Sequence, residues 1–469
     1  MVRSLHCAQS LMSSCRATLL ICMVVAVVPV YAQTATKKQP VPAADAQAKA
    51  EKLIKELFKD DYAKKKPADM LALSAKLLDQ AKETKDDPTA RFVLLREARD
   101  LAGQAGDLPQ ALRVVDETAR EYEVNLSALK ATVLEAAAGL PATPTLSKTI
   151  AETALEVIED ALTADDFEAA AKLLKVADAA AQKAKSVPLV SSVQAKGKQV
   201  EAVRKDFEQA KVAAEKLAKD PKDAEASAAY GKYLCLRKGD WDKGLALLLE
   251  SNEAKLKELA VKELRNPTEP ADQIDLAEGW LAYGGKQAEP DKTIWLMRAY
   301  HWFRQARPKV TGLTKTKVDK AMASSPRHYL TDLDEFDVKL GPWKLGKGNI
   351  GNSDGTPITV RGQRSPLSLC LHCPENDYSA VKYRLGKTAK TFQVRVGIDE
   401  AVGGPQTPVT FTVLGDGKSL WTSQPVKVSG SWQSCSISVV GVEVLELRAH
   451  CPGRPGGAYA VWVEPQVLR

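Results

Sequence analysis

Histidine is scarce in this chain, with five among 469 residues. The motifs that recruit it for chemistry are missing too. There is no H-E-x-x-H pair to hold a catalytic zinc and no complete G-x-x-x-x-G-K-S/T loop to cradle phosphates, and no nucleophile elbow is expected. Metalloprotease, nucleotide hydrolase and serine hydrolase readings therefore find no support. Aromatic residues make up only 6% of the chain. A concentrated basic face is also lacking. The formal charge is +7 and is spread along the chain, falling to about +5 if Arg3 and Arg16 leave with an N-terminal segment. That distribution does not suit nucleic acid.

What is present begins with an export signature. Arg3 and Arg16 precede an apolar run from Ala17 to Val28, and Val30-Tyr31-Ala32 places a cleavage site before Gln33. Residues 1–32 are expected to be a signal peptide. Their apolar run falls short of the ~20 residues a membrane span needs, so no stable span is expected after cleavage, and the protein is expected to be secreted or periplasmic. Residues 33–46, rich in Ala, Pro, Lys, Gln and Thr, have no periodicity and are expected to form a flexible linker. Export gives the cysteines meaning. Cys235 stands alone, whereas Cys370, Cys373, Cys435 and Cys451 all fall near the C-terminus, where an exported domain is expected to form disulfides.

From 47 to 325 the apolar residues recur at three and four, as on helices: Phe92, Leu95, Ala98 and Ala102 make one stripe, and Ala111, Val114, Val115 and Thr118 another. One turn recurs. It reads Gly106-Asp107-Leu108-Pro109-Gln110-Ala111, then Asp165-Asp166-Phe167-Glu168-Ala169, then Gly239-Asp240-Trp241-Asp242-Lys243-Gly244. In each, one residue ends a helix, Asp caps the next, and a bulky residue follows. These turns resemble those of tetratricopeptide-type helical hairpins. Their spacings, 59 and 74 residues, depart from the family's period of about 34, so a divergent solenoid is expected. Trp241, Trp280, Trp295 and Trp302 crowd into its last part at helical spacing, which marks them as packing between helices.

After Ser325 the period switches to two. Leu367, Leu369, Leu371 and Cys373 alternate with Ser368, Cys370 and His372, and Phe392, Val394, Val396 and Ile398 share a face. Residues 326–469 resemble the NPCBM family of carbohydrate-binding modules. The resemblance is carried by Tyr329-Leu330-Thr331-Asp332-Leu333, Ser365-Pro366, Leu371-His372, Tyr378-Ser379, Val396-Gly397-Ile398-Asp399, Asp416-Gly417-Lys418 and Ala460-x-Trp462-x-Glu464-Pro465. It implies an antiparallel, galactose-binding-like jelly-roll β-sandwich. The whole chain thus reads as an α-helical repeat followed by a β-sandwich.

Sugar binding needs exposed rings beside hydrogen-bonding groups. Tyr378, Trp421, Trp432 and Tyr459 lie near turns and are the candidates, while Trp462, mid-strand, is expected in the core. No cofactor is expected. The one metal considered is a structural calcium held by Asp332, Asp334, Glu335 and Glu464, which supply hard oxygen ligands near the two ends of the domain. Cys370-x-x-Cys373 has zinc-knuckle spacing, but along a strand the two thiols point to opposite faces. Cys373 is expected to bond to Cys451 or Cys435, which share its apolar face. The functional expectation is an exported, non-catalytic glycan- or polysaccharide-binding protein on a helical scaffold. The alternative is an adaptor whose helical repeats bind partner proteins while the sandwich only packs.

Overall fold

The computed structural model describes residues 38–360, 363–399, 405–429 and 432–469, so the expected signal peptide lies outside the described residues. Order begins earlier than composition suggested. Gln39 pairs with Tyr122, its N–H donating to Glu121 O at 2.7 Å and its carbonyl accepting from Glu123 N at 2.8 Å, and the first helix starts at Ala44.

Fifteen α-helices follow among the described residues, up to Ala323. The recurring turns act as the sequence implies. Asp107, Asp166 and Asp240 each accept a hydrogen bond from the backbone N–H three residues on, at 2.9, 2.9 and 3.1 Å. The residue before each cap is left-handed: Gly106 at φ 81°, Gly239 at φ 64°, and Asp165 at φ 57° where the other copies use glycine. Such caps typically contribute about 1 kcal/mol each. The helices stack side by side, with Pro144–Thr163 against Phe167–Lys183 and Pro270–Gly284 against Asp291–Ala306. The tetratricopeptide likeness rests on the turns alone. The 33-residue helix Val187–Lys219 gives Val193 and Val200 to the middle core and runs on to pack against Ala224–Tyr233.

The tryptophans close the last core. Trp280 and Trp295 stack at 5.1 Å, and Trp241 meets both edge-on. Buried Glu263 accepts from Trp280 Nε1 at 2.6 Å and from Arg298 Nε at 2.6 Å, while the Arg298 guanidinium lies 4.3 Å from the Trp241 ring centre. Removing this carboxylate strands a guanidinium and an indole N–H in a closed core. Glu263→Ala is expected to lower the unfolding free energy by about 3–5 kcal/mol, measured by urea denaturation. A loss below about 1 kcal/mol would show that Arg298 finds water instead.

Thirteen strands complete the described chain: β1 Arg327–Tyr329, β2 Glu335–Lys339, β3 Gly346–Lys347, β4 Thr359–Val360, β5 Gln363–Arg364, β6 Leu369–His372, β7 Asp377–Arg384, β8 Thr391–Ile398, β9 Thr410–Gly415, β10 Lys418–Thr422, β11 Trp432–Ser438, β12 Val444–Cys451 and β13 Tyr459–Leu468. All pair antiparallel. One sheet runs β11-β8-β13-β6-β3 with β1 on the far end of β13; the other runs β10-β9-β12-β7-β2; β4 and β5 form a separate ribbon. The two inner faces enclose one core, in which Trp462 is fully buried, as its mid-strand position implied. A second, smaller core lies on the outer face of β6 and β13, where Cys370, Val461 and Val463 meet Ile350, Ile358 and Val360.

The sandwich is joined tightly to the final helices. Tyr300 OH donates to Asp332 at 3.0 Å, and Arg304 Nε donates to the same carboxylate at 2.7 Å. Tyr329 packs against the tryptophan core, and the C-terminal Arg469 donates to Ala323 O at 2.7 Å. His328 and His301 flank this joint. Burial, reinforced by Arg469 in one case and by Arg298 and Arg304 in the other, pushes both imidazoles down to about 4. The unfolded chain therefore takes up these protons first as pH falls below about 6.5. Stability is expected to be full above that pH and to drop as pH falls toward 4, by on the order of 3 kcal/mol for buried His328. Urea midpoints across this range should fall less steeply for His328→Gln; an unchanged slope would contradict the assignment.

Candidate functional site

The outer face of the six-stranded sheet gathers rings at one end. Tyr459 lies opposite His372 across β13 and β6. The segment after β2 crosses above them: Gly341 N–H donates to His372 O at 3.0 Å, an approach so close that a Cβ at Gly341 would stand 2.7 Å from that oxygen. This crossing delivers Trp343, whose ring centre is 4.7 Å from His372 and 4.8 Å from Tyr459. His372 meets Tyr459 edge-on at 5.2 Å. Trp343 and Tyr459 are half-buried and keep part of their surfaces in solvent.

His372 is 6% exposed, and its Nδ1 has no hydrogen-bond partner. Burial pushes its pKa down, with a hydrogen bond from the ring to the Cys373 backbone opposing, so the ring is neutral near pH 7. An unmet buried polar atom of this kind costs about 1–3 kcal/mol, which a ligand hydroxyl would recover. Asp399 follows the end of β8, is 0% exposed, and accepts from Thr359 N at 3.0 Å. Desolvation, then the neighbouring Cys370 and Asp399, raises the Tyr459 phenol, which stays protonated and able to donate. The arrangement offers ring faces for the C–H surfaces of a sugar and directed polar groups for its hydroxyls.

The structure divides the four aromatic candidates. Tyr459 and Trp432 belong to the outer core beside Trp343. Tyr378 and Trp421 lie on the other sheet. Lys339 Nζ sits 3.8 Å and the Arg448 guanidinium 4.7 Å from the Tyr378 ring centre, so cations occupy the ring that a sugar would need. Trp421 packs against the main core. Trp343, His372 and Asp399 were missed. Trp343 sits in an irregular Gly-Pro-Trp-Lys stretch without periodicity, and only the shape of the fold places it near β6.

The carboxylates chosen for calcium are not brought together. Asp332 is held by Tyr300 and Arg304, Glu335 pairs with Lys347 at 2.5 Å, Asp334 is exposed, and Glu464 occupies a bulge in β13 at φ 47°. Among the described residues no group of three or more His, Cys, Asp or Glu is placed to hold a metal ion. Gly351-Asn352-Ser353-Asp354-Gly355 has the G-x-S-x-G spacing, contrary to expectation. It lies in a turn after β3 with Ser353 Oγ donating to Asp354, not on a strand-to-helix elbow.

The facing of the thiols agrees with the period-two reading: Cys373, Cys435 and Cys451 point into the inner core and Cys370 into the outer one. The expected bond is not formed. All five described cysteines are free and buried, with Cys373 Sγ donating to Ala449 O at 3.2 Å and Cys451 Sγ to Gly453 O at 3.4 Å. Cys373 and Cys451 are thus each satisfied by a backbone carbonyl rather than by a second sulfur. Burial pushes Cys235, Cys373 and Cys435 up to about 12. Iodoacetamide at pH 8 is therefore expected to spare all three in the native protein and to label them in urea, read by peptide mass mapping. Native labelling at any of them would contradict their burial.

Residues 327–468 match the NPCBM/NEW2 domain. The C-terminal part of this chain is an NPCBM/NEW2 domain. The resemblance to that family is borne out across the segment. A protein of Renibacterium salmoninarum named "Putative endo-alpha-N-acetylgalactosaminidase" is 28% identical over 146 residues. The match covers 30% of this chain and 9% of that protein, so it concerns one domain of a much larger relative. Among solved structures, the CBM51 module of Clostridium perfringens GH95 in complex with methyl-galactose is 19% identical over 30% of this chain and 99% of that one, with a TM-score of 0.27. The CBM51-2 and INT domains of Clostridium perfringens ZmpB, in complex with GlcNAc, are 19% identical over 30% of this chain and 31% of that one, with a TM-score of 0.26.

Proposed function

We propose that this NPCBM/NEW2 domain binds a glycan on the outer face of its six-stranded sheet, and that the helical array serves as its scaffold in an exported, non-catalytic protein. The observation that carries the reading is the buried, unpartnered Nδ1 of His372 between two half-exposed rings, Trp343 and Tyr459. A sugar stacked on the rings satisfies that nitrogen, and the Tyr459 hydroxyl adds a donor. The family of the domain supports a carbohydrate, and the solved relatives carry methyl-galactose and GlcNAc, so these two sugars are the first to try. Export is supported by the N-terminal charge and apolar pattern, and no helix among the described residues is long and apolar enough to cross a membrane. A catalytic role is not supported by any cluster of reactive side chains found at the ring site.

A single shallow sugar site of this kind is expected to bind near the millimolar range, roughly −4 kcal/mol. Trp343→Ala and Tyr459→Ala should each weaken binding of the recognised sugar at least about fivefold, by loss of stacking worth about 1 kcal/mol or more. Tyr378→Ala and Trp421→Ala should leave affinity unchanged. Titration calorimetry on the whole chain decides between the faces: affinity lost with Tyr378 and Trp421 but kept without Trp343 would place the site on the other sheet.

A further inference from the structure

A cleft of about 380 Å³ opens among the first helices, Ala44–Leu57, Lys59–Tyr62, Pro67–Glu83 and Pro88–Gln104. That volume falls within the range of ligand pockets, about 300–1,000 Å³. Buried Leu73 and Leu101 and half-buried Met70 give it an apolar floor. Glu97, Asp100 and Gln104 recur at three and four along one helix and form a wall about 10 Å long, at about 1.5 Å per residue. The cations come from Lys55 of the first helix and from Lys64 and Lys65, in the turn before Pro67.

The acids of this cleft are met from within. Tyr62 OH donates to Glu97 at 3.0 Å and Arg96 donates to it at 3.2 Å, while Lys55 Nζ stands 3.9 Å away. Asp100 accepts from Arg99 Nε at 2.7 Å. The cations are less fully met. Lys64 donates to Asp61 at 3.0 Å and keeps two further N–H groups. Exposed Lys65 has no carboxylate at ion-pair distance among the described residues. The charge left over for a ligand is therefore positive, and the ligand that complements it is an anion.

The floor suits an aliphatic side chain better than a sugar. Tyr62 is the one ring among the described lining residues, and its hydroxyl is already bound to Glu97. Methionine adapts to side chains of different shape. A wall of about 10 Å matches about three residues of extended chain at about 3.3 Å each. Oxygens of Glu97, Asp100 and Gln104 are acceptors for the N–H groups of such a chain.

We propose that this cleft binds an acidic peptide segment of a partner protein, with an aliphatic side chain on Met70, Leu73 and Leu101 and carboxylates on Lys64 and Lys65. The helical array is then a recognition element in its own right as well as a support. This inference does not rest on the glycan reading, which concerns the sandwich.

The test uses the full chain and fluorescence anisotropy with a labelled, end-capped pentapeptide, Asp-Glu-Leu-Glu-Asp. Two control peptides replace its leucine by serine or its four acids by lysine, and both are expected to bind more weakly. Binding should weaken as salt is raised. Lys64→Ala combined with Lys65→Ala should lower affinity at least about fivefold; both side chains are exposed, so the fold is kept. Lys49→Ala combined with Lys52→Ala removes the same charge outside the cleft and should leave affinity within about twofold. Trp343→Ala should leave peptide binding unchanged, which separates this site from the ring site. Failure of the wild type to bind the acidic peptide, equal binding of the serine or lysine controls, or equal losses in the two lysine pairs would overturn the proposal. Displacement of the peptide by GlcNAc or methyl-galactose would also overturn it, by giving the cleft to a sugar.

Discussion

The constraint on which the C-terminal domain depends is that β13 is buried on both faces. Ala460 and Trp462 point into the space between the sheets, while Val461 and Val463 point outward and are also buried. A strand in a simple sandwich alternates apolar with polar; this one does not, so its outer face must be covered. The segment from Gly341 to Val360 supplies the cover through Ile350, Ile358 and Val360. It must cross the sheet tightly, and glycines at Gly341 and Gly351 make that geometry accessible: a Cβ at Gly351 would stand 2.0 Å from Lys344 O. Trp343 is laid beside His372 and Tyr459 as a result. The candidate site is the end of the cover, where apolar packing stops and rings remain partly in solvent.

The helical half is bound to the sandwich through a defined joint. Asp332 ties β-sandwich to helix through Tyr300 and Arg304, in a joint that also buries Tyr329. A charge-assisted bond to a half-buried carboxylate outweighs the exposed ion pairs that cover the helices, whose median worth is about 0–1 kcal/mol. The surface pairs are a solvated coat; the Asp332 joint fixes where the sandwich sits.

What the sequence revealed follows from what is periodic. The repeated Gly-Asp and Asp-Asp turns announced their caps because capping is a local bond over three residues. The inward facing of Cys373, Cys435 and Cys451 was legible because strand faces alternate strictly. Pairing was not legible: a shared face does not bring two sulfurs together, and here backbone carbonyls accept hydrogen bonds from the Cys373 and Cys451 thiols. The ring site was half legible. Tyr459 and Trp432 sit on strands, where alternation says which way they point, whereas Trp343 reaches the site by a crossing that no period encodes. Tyr378 failed for a different reason: exposure near a turn did not reveal that Lys339 and Arg448 would cover its ring.

The central claim is that sugar is held on the outer face of the six-stranded sheet, between Trp343, Tyr459 and His372. A crystal structure of the whole chain soaked with methyl-galactose and with GlcNAc tests it most directly. The account predicts a sugar ring stacked on Trp343 or Tyr459 with a hydroxyl within about 3 Å of His372 Nδ1. A sugar seated instead over Tyr378, with Lys339 or Arg448 displaced, would contradict it.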